Sequence, residues 1–128
     1  MKLFITVFFA ILAAAVVILG ALWAKARVDA WETAWRSCEA QAWMYAQHTS
    51  PDTSGMSPTA VIDVLSSHMK RIKDDTVELE KLERQAIAIL EQKPFGLPLT
   101  TAEQQELTML KQDADKAAAW LRDQQKSN

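Results

Sequence analysis

The sequence predicts an all-α protein: a single N-terminal transmembrane helix continuous with a stalk helix, followed by an antiparallel helical hairpin that completes a three-helix, coiled-coil-like aqueous domain. Three observations predict it. Residues 3–23 read LFITVFFAILAAAVVILGALW, without a charged side chain. Past that run the chain is rich in Ala, Leu, Gln, Glu and Lys, residues that lose little on entering a helix. Its prolines and its two remaining glycines fall in two short stretches, TSPDTSGMSP and KPFGLPL, which divide the rest into three helical lengths.

The apolar run has roughly 21 residues, which at 1.5 Å each reach about 31 Å, the thickness of a bilayer's hydrocarbon layer. Lys2 precedes it, and Trp23 closes it where an indole suits the headgroup region. A secretory signal has a shorter apolar core, of about 7–15 residues, and a small-residue cleavage site. Ala24-Lys25-Ala26 has the form of such a site, but the core is too long for a signal. The expectation is an uncleaved anchor over 1–24 and a helical aqueous domain over 25–128. Lys2 and the terminal amine nearly balance Lys25, Arg27 and Arg36, so charge alone orients the span weakly. A short tail, an apolar run and then a folded domain is the signal-anchor layout. It predicts a single-pass protein of a bacterial inner membrane with its C-terminal domain in the periplasm.

The first aqueous helix, about 25–47, continues the span without a proline or glycine. After the loop, Ser57 is an N-cap and Pro58 a first helical residue. The second helix runs over about 58–92, roughly 52 Å, longer than the stalk. Val61, Leu65, Ile72, Leu79, Leu82, Ala86 and Ile89 form its heptad-like stripe, with His68 and Asp75 as polar members of the same row. A bend is expected at Asp74-Asp75-Thr76, where helix propensity is poorest. KPFGLPL then turns the chain, with Phe95, Leu97 and Leu99 expected to plug the end of the bundle. Thr100 and Glu103 make a capping box for a third helix over about 101–125, striped by Leu107, Leu110, Ala114, Ala117 and Leu121. The short connection predicts that helices two and three lie antiparallel. Lys70 and Asp74, Glu80 and Arg84, and Lys111 and Asp115 are i,i+4 pairs on solvated faces.

One row of the first helix carries the richest chemistry. Steps of four and three connect Val28, Trp31, Trp35, Cys38, Ala42 and Tyr45, and upstream the row passes through Ala10, Ala14, Val17, Ala21 and Ala24. Small residues let helices approach in lipid, and large apolar ones gain most from burial in water. The row is an interaction seam, facing the hairpin, a second copy or a partner. Trp43 falls off it. Cys38 in this setting is a small buried hydrophobe or, in a parallel dimer, a facing thiol. A redox role would need a thiolate-stabilising neighbour.

Catalytic chemistry has no foothold in this sequence. No GxSxG, P-loop, GxGxxG or HExxH occurs. His48 and His68 have no ligand-type residue at i,i+4, so no metal is expected. His48 reads as a capping or surface imidazole. His68 and Asp75 read as polar seam residues that set register. A formal net charge of −2 excludes the basic face of a nucleic-acid binder. No cofactor, nucleic acid or small-molecule substrate is expected, and the chain is read as a non-enzyme. Its layout resembles the inner-membrane lysis proteins of tailed phages and the accessory subunits of envelope complexes. The expected function is a membrane-tethered protein–protein interaction or accessory subunit of a cell-envelope complex, touching the bilayer and either another envelope protein or a second copy. The alternatives are a phage-type lysis or exclusion factor acting through oligomerisation, and a cleaved, secreted small helical binding or inhibitory protein.

Overall fold

The computed structural model describes residues 1–126. Three helices carry the fold: α1, Lys2–Ala46; α2, Pro58–Glu91; and α3, Thr101–Lys126, with a short 3-10 turn at Pro94–Gly96 between the last two. The helix starts follow their local chemistry. Ser57 Oγ accepts from the Ala60 N–H at 3.3 Å. Thr100 Oγ1 accepts from the Glu103 N–H at 3.2 Å, and Glu103 Oε1 accepts from the Thr100 N–H at 2.9 Å, completing the capping box.

α1 is one rod of 45 residues, about 68 Å long at 1.5 Å per residue. Its two halves differ. Every residue of 1–23 is exposed, and by length and composition this helix is apolar enough to cross a membrane. From Ala24 onward the other helices begin to cover it. α2 is the central element, packed along α1 on one side and α3 on the other. Among the described residues, no α-carbon of α1 lies within 8 Å of one in α3. The two outer helices meet only through side chains, which leaves a groove between them with α2 as its floor. Arg84 pairs with Asp115 at 2.9 Å and Lys111 with Glu91 at 3.0 Å, so earlier residues of α2 meet later residues of α3. Of the expected pairs within one helix, Glu80 and Arg84 approach to 3.8 Å. Lys111 and Asp115 instead reach across to α2, which lies close enough to compete for them.

The core joins all three helices. Trp31, Trp35, Ala86, Ile87, Leu90, Leu110 and Ala114 are buried together, with Val28, Cys38, Ile89, Leu99 and Leu107 packed against them. Trp31 and Trp35 meet edge to face at 6.3 Å. An indole buries roughly 200 Å², on the order of 5 kcal/mol of transfer free energy for each. Ala86 and Ala114 are fully enclosed, and their small side chains let the helices come close.

The stripe expected on α2 is only part of its covered arc: Val61, Ile72, Leu79, Leu82 and Ile89 are half-buried. Ala86 is buried, but its buried companions are Glu83, Ile87 and Leu90, while Leu65 is 45% exposed. A helix sandwiched between two others buries a wider arc than a single four-three row can supply. α3 has one neighbour, and Leu110, Ala114 and Ala117 are buried as its stripe predicts. Nor is α2 interrupted at Asp74-Asp75-Thr76. Thr76 Oγ1 donates to the Ile72 carbonyl at 2.7 Å, so its hydroxyl is satisfied within the helix.

The 93–100 turn also departs from expectation. Leu99 packs on the core, but Phe95 is 52% and Leu97 46% exposed, so neither plugs the bundle. Phe95 meets the Trp23 ring edge to face at 5.5 Å, and the Arg27 guanidinium lies 5.8 Å from the same indole. α1 runs past the end of α2 here, and its exposed indole draws the phenyl ring outward.

Candidate functional site

Of the seam residues, Trp31, Trp35 and Ala42 are buried, Val28 and Cys38 are half-buried, and Tyr45 is exposed. The side of α1 that they share is occupied by α2. Trp31 donates its indole N–H to the Ile89 carbonyl in the last turn of α2. The Lys93 ammonium lies 5.4 Å from the Trp31 ring and pairs with Glu103 at 2.7 Å, both side chains being largely buried. Burial pushes the Glu103 carboxyl up, but the Lys93 hydrogen bond, the Thr100 N–H and the Lys93 charge outweigh it and hold the group below its ordinary value. This cluster fastens the α2–α3 reversal to the stalk.

The polar seam residues find a partner that their spacing conceals. His48, just past the end of α1, lies 3.5 Å from Asp75 through Nε2 and sets its ring edge to face against His68 at 6.3 Å. Running α1 and α2 in opposite directions brings the three together. No group of three or more His, Cys, Asp or Glu side chains among the described residues is disposed to hold a metal ion.

The feature with an unmet chemical demand is the groove between α1 and α3, a cavity of about 820 Å³. Each wall is built on i,i+3 and i,i+4 neighbours. Trp35, Glu39 and Trp43 line it from α1, Leu79 and Glu83 from α2, and Glu106, Leu110 and Asp113 from α3. Trp43 is 65% exposed at its mouth, whereas Glu83 is 6% exposed on its floor.

Five carboxylates thus line one cleft, Glu39, Glu83, Glu103, Glu106 and Asp113, of which Glu103 is paired with Lys93. Burial raises the Glu83 carboxyl to about 7, and the Asp113 charge adds to this. Arg84 opposes the rise, and Glu80 and Glu39 contribute to it. Glu39 is also raised, first by burial and then by the charge and hydrogen bond of Glu106, against the pull of Arg36. Of the neighbouring cations, Arg36 also lines the groove, its guanidinium 5.3 Å from the Trp35 ring. Arg36 pairs with Glu32 at 2.6 Å, and Arg84 with Asp115. Glu83 Oε2 and Trp35 Nε1 are enclosed without a hydrogen-bond partner. The arrangement can accept hydrogen bonds and positive charge and offer one N–H. It brings no nucleophile beside them.

Sequence reasoning did not find this groove. Glu39, Glu83, Glu106 and Asp113 each look like ordinary surface charges on their own helices. The available signal was Glu83, which lies on the same arc as Ala86, Ile87 and Leu90. No family model, curated protein or solved structure matches the chain.

Proposed function

We propose that this chain is a membrane-tethered helical interaction subunit of a cell-envelope complex, with no catalytic step of its own. In this reading residues 3–23 span a bacterial inner membrane, and α2 and α3 form an antiparallel hairpin docked on the stalk in the periplasm. The observation that carries it is the division of α1. One uninterrupted helix is bare over 1–23, without a charge over 3–23, and is covered by α2 from Val28 and Trp31 onward. An uncovered apolar surface of that length is costly in water and favourable in lipid. Trp23 at the boundary, with Phe95 and Arg27 against it, makes the aromatic and cationic belt of a membrane interface. The partner is another envelope protein that docks along the α1–α3 groove and the exposed Trp43.

The test is retention of the full-length chain in alkali-washed membranes, followed by intact-mass measurement and chemical cross-linking. The expected outcome is a membrane-held chain that retains Lys2 and the apolar run, cross-linked to a discrete second protein. The Ala24-Lys25-Ala26 sequence favours one other reading, a cleaved and secreted helical binding protein. A soluble chain beginning at Arg27 would establish that and overturn the anchor. A Cys38-dependent homodimer would instead favour a self-assembling factor of the lysis type.

A further inference from the structure

We infer that the α2–α3 reversal is a second point of membrane contact: Phe95 and Leu97 insert into the lipid surface beside the foot of the α1 span, so that the helical domain rests on the bilayer instead of swinging above it. This rests on the anchor reading above and names the surface that the exposed turn meets.

The topology places the turn at that level. α1 and α2 run in opposite directions, and their register is fixed at both ends and between. His48 lies 3.5 Å from Asp75, Trp31 bonds the Ile89 carbonyl, and Trp23 meets Phe95 at 5.5 Å. The reversal therefore returns to the point where the bare apolar run 3–23 ends. Its exposed surface continues that run: Trp23 is 59%, Phe95 52% and Leu97 46% exposed.

The turn also loses little on leaving water. Unpaired backbone groups are what keep most loops out of lipid. Pro94 and Pro98 carry no N–H. The Leu97 N–H donates to the Pro94 carbonyl at 3.3 Å, and the Pro98 carbonyl accepts from the Lys93 ammonium at 3.1 Å. Charge agrees with this placement. No acidic residue occurs in 1–28 or in 92–102, while Lys25 and Arg27 stand at this end of the stalk. The acids that flank the turn are paired, Glu91 with Lys111 at 3.0 Å and Glu103 with Lys93 at 2.7 Å. On α1 the first acid, Asp29, lies about 9 Å beyond Trp23. An apolar tip with basic neighbours and no free acid suits the boundary between acyl chains and anionic headgroups.

The test uses the full-length chain in nanodiscs of phosphatidylethanolamine and phosphatidylglycerol. NMR reads nuclear Overhauser contacts from the Phe95 ring and the Leu97 methyls to lipid acyl-chain protons. It also reads how far a water-soluble gadolinium chelate broadens the backbone amides. The expected result is acyl-chain contact at both side chains, with the amides of Phe95, Gly96 and Leu97 protected from the chelate relative to those of the 49–57 loop at the far end. Replacing both side chains, Phe95→Ser with Leu97→Ser, should lower the inserted fraction about tenfold and remove that protection. Neither residue belongs to the core, so the fold should persist, and unchanged amide positions in α2 and α3 check it. Equal protection in the double variant would overturn insertion, leaving mere nearness to the bilayer. Water contact alone at Phe95 and Leu97, with lipid contact along 3–23, would overturn the inference while the anchor stands. Contacts between differently labelled chains at Phe95 and Leu97 would overturn it in favour of a face between two copies. A chain that does not enter the discs would sink the anchor, and the inference with it.

Discussion

The Trp31 indole N–H donates to the main-chain carbonyl of Ile89, so the middle of α1 hydrogen-bonds the last turn of α2 across 58 positions of sequence. The last carbonyls of a helix lack partners within it. Ile89 also accepts from the Gln92 N–H at 3.1 Å, and the indole takes up its second lone pair. One residue therefore supplies both apolar burial and a helix cap. Trp31→Phe keeps most of the ring and loses the bond. It should destabilise the chain by about 1–2 kcal/mol, while Trp31→Ala should cost about 3–5 kcal/mol. Trp43→Phe, at an exposed ring, should change stability by less than about 0.5 kcal/mol. Urea unfolding of the full-length chain in micelles checks the order. A Trp31→Phe variant as stable as its parent would remove the indole N–H from the account of stability.

A second prediction concerns the buried pair beside Trp31. Glu103 serves Lys93 and the Thr100 N–H together, and these lower its pKa against the opposing effect of burial. The unfolded chain therefore takes up this proton before the folded one as pH falls. The stability from Glu103 is present above its ordinary value of 4.5 and is lost as pH drops through the lower folded value. Glu103→Gln leaves the Lys93 ammonium, 11% exposed, without its counter-charge. The expected cost at pH 7 is about 3 kcal/mol, and the variant should lose part of the parent's decline below pH 4.5. Acid titration of the thermal midpoint for both proteins reads this directly.

The reversal between α2 and α3 should be sensitive to backbone conformation alone. Phe95 and Gly96 both have φ of 63°, the left-handed region that glycine enters without penalty and other residues enter at about 1–2 kcal/mol. A Cβ built on Gly96 meets nothing within 4 Å. Gly96→Ala should thus destabilise by about 1 kcal/mol with no steric contribution. An unchanged unfolding midpoint would mean that the turn adopts another conformation in solution.

These features differ in how far the sequence announces them. Helix ends are written in adjacent residues. Ser57 and Pro58, and Thr100 and Glu103, mark their helices because each cap involves groups only three residues apart. The stripe of α3 is equally legible, because that helix has one neighbour. α2 has two, and no single period reveals that its buried arc includes Glu83, Ile87 and Leu90. The destination of Phe95 depends on α1 passing close by with Trp23 exposed, which nothing in KPFGLPL encodes. The groove is the extreme case. Its acidic character exists only once Glu39, Glu83 and Asp113 have been brought together from three helices.

Glu83 provides the last prediction, opposite in sign to Glu103. Its carboxyl is raised from 4.5 to about 7, first by burial and then by Asp113 from α3, with Glu80 from α2 and Glu39 from α1 in support and Arg84 opposing. Between those two values the unfolded chain has released the proton and the folded chain still holds it. Stability is thus greatest below the ordinary value and declines as pH rises through the folded one, by on the order of 3 kcal/mol over the whole window. Glu83→Gln has nearly the same shape and never ionises. It should match its parent near pH 4.5, exceed it progressively towards pH 8 and flatten the decline. Asp113→Asn removes a charge facing Glu83 without touching the floor, so it should shift the decline to higher stability at neutral pH by a smaller amount. Thermal midpoints of the three proteins from pH 4.5 to pH 8 decide the matter. A parent whose stability is flat across that range, with Glu83→Gln no more stable at pH 8, would mean that Glu83 is already compensated by a cation or by water.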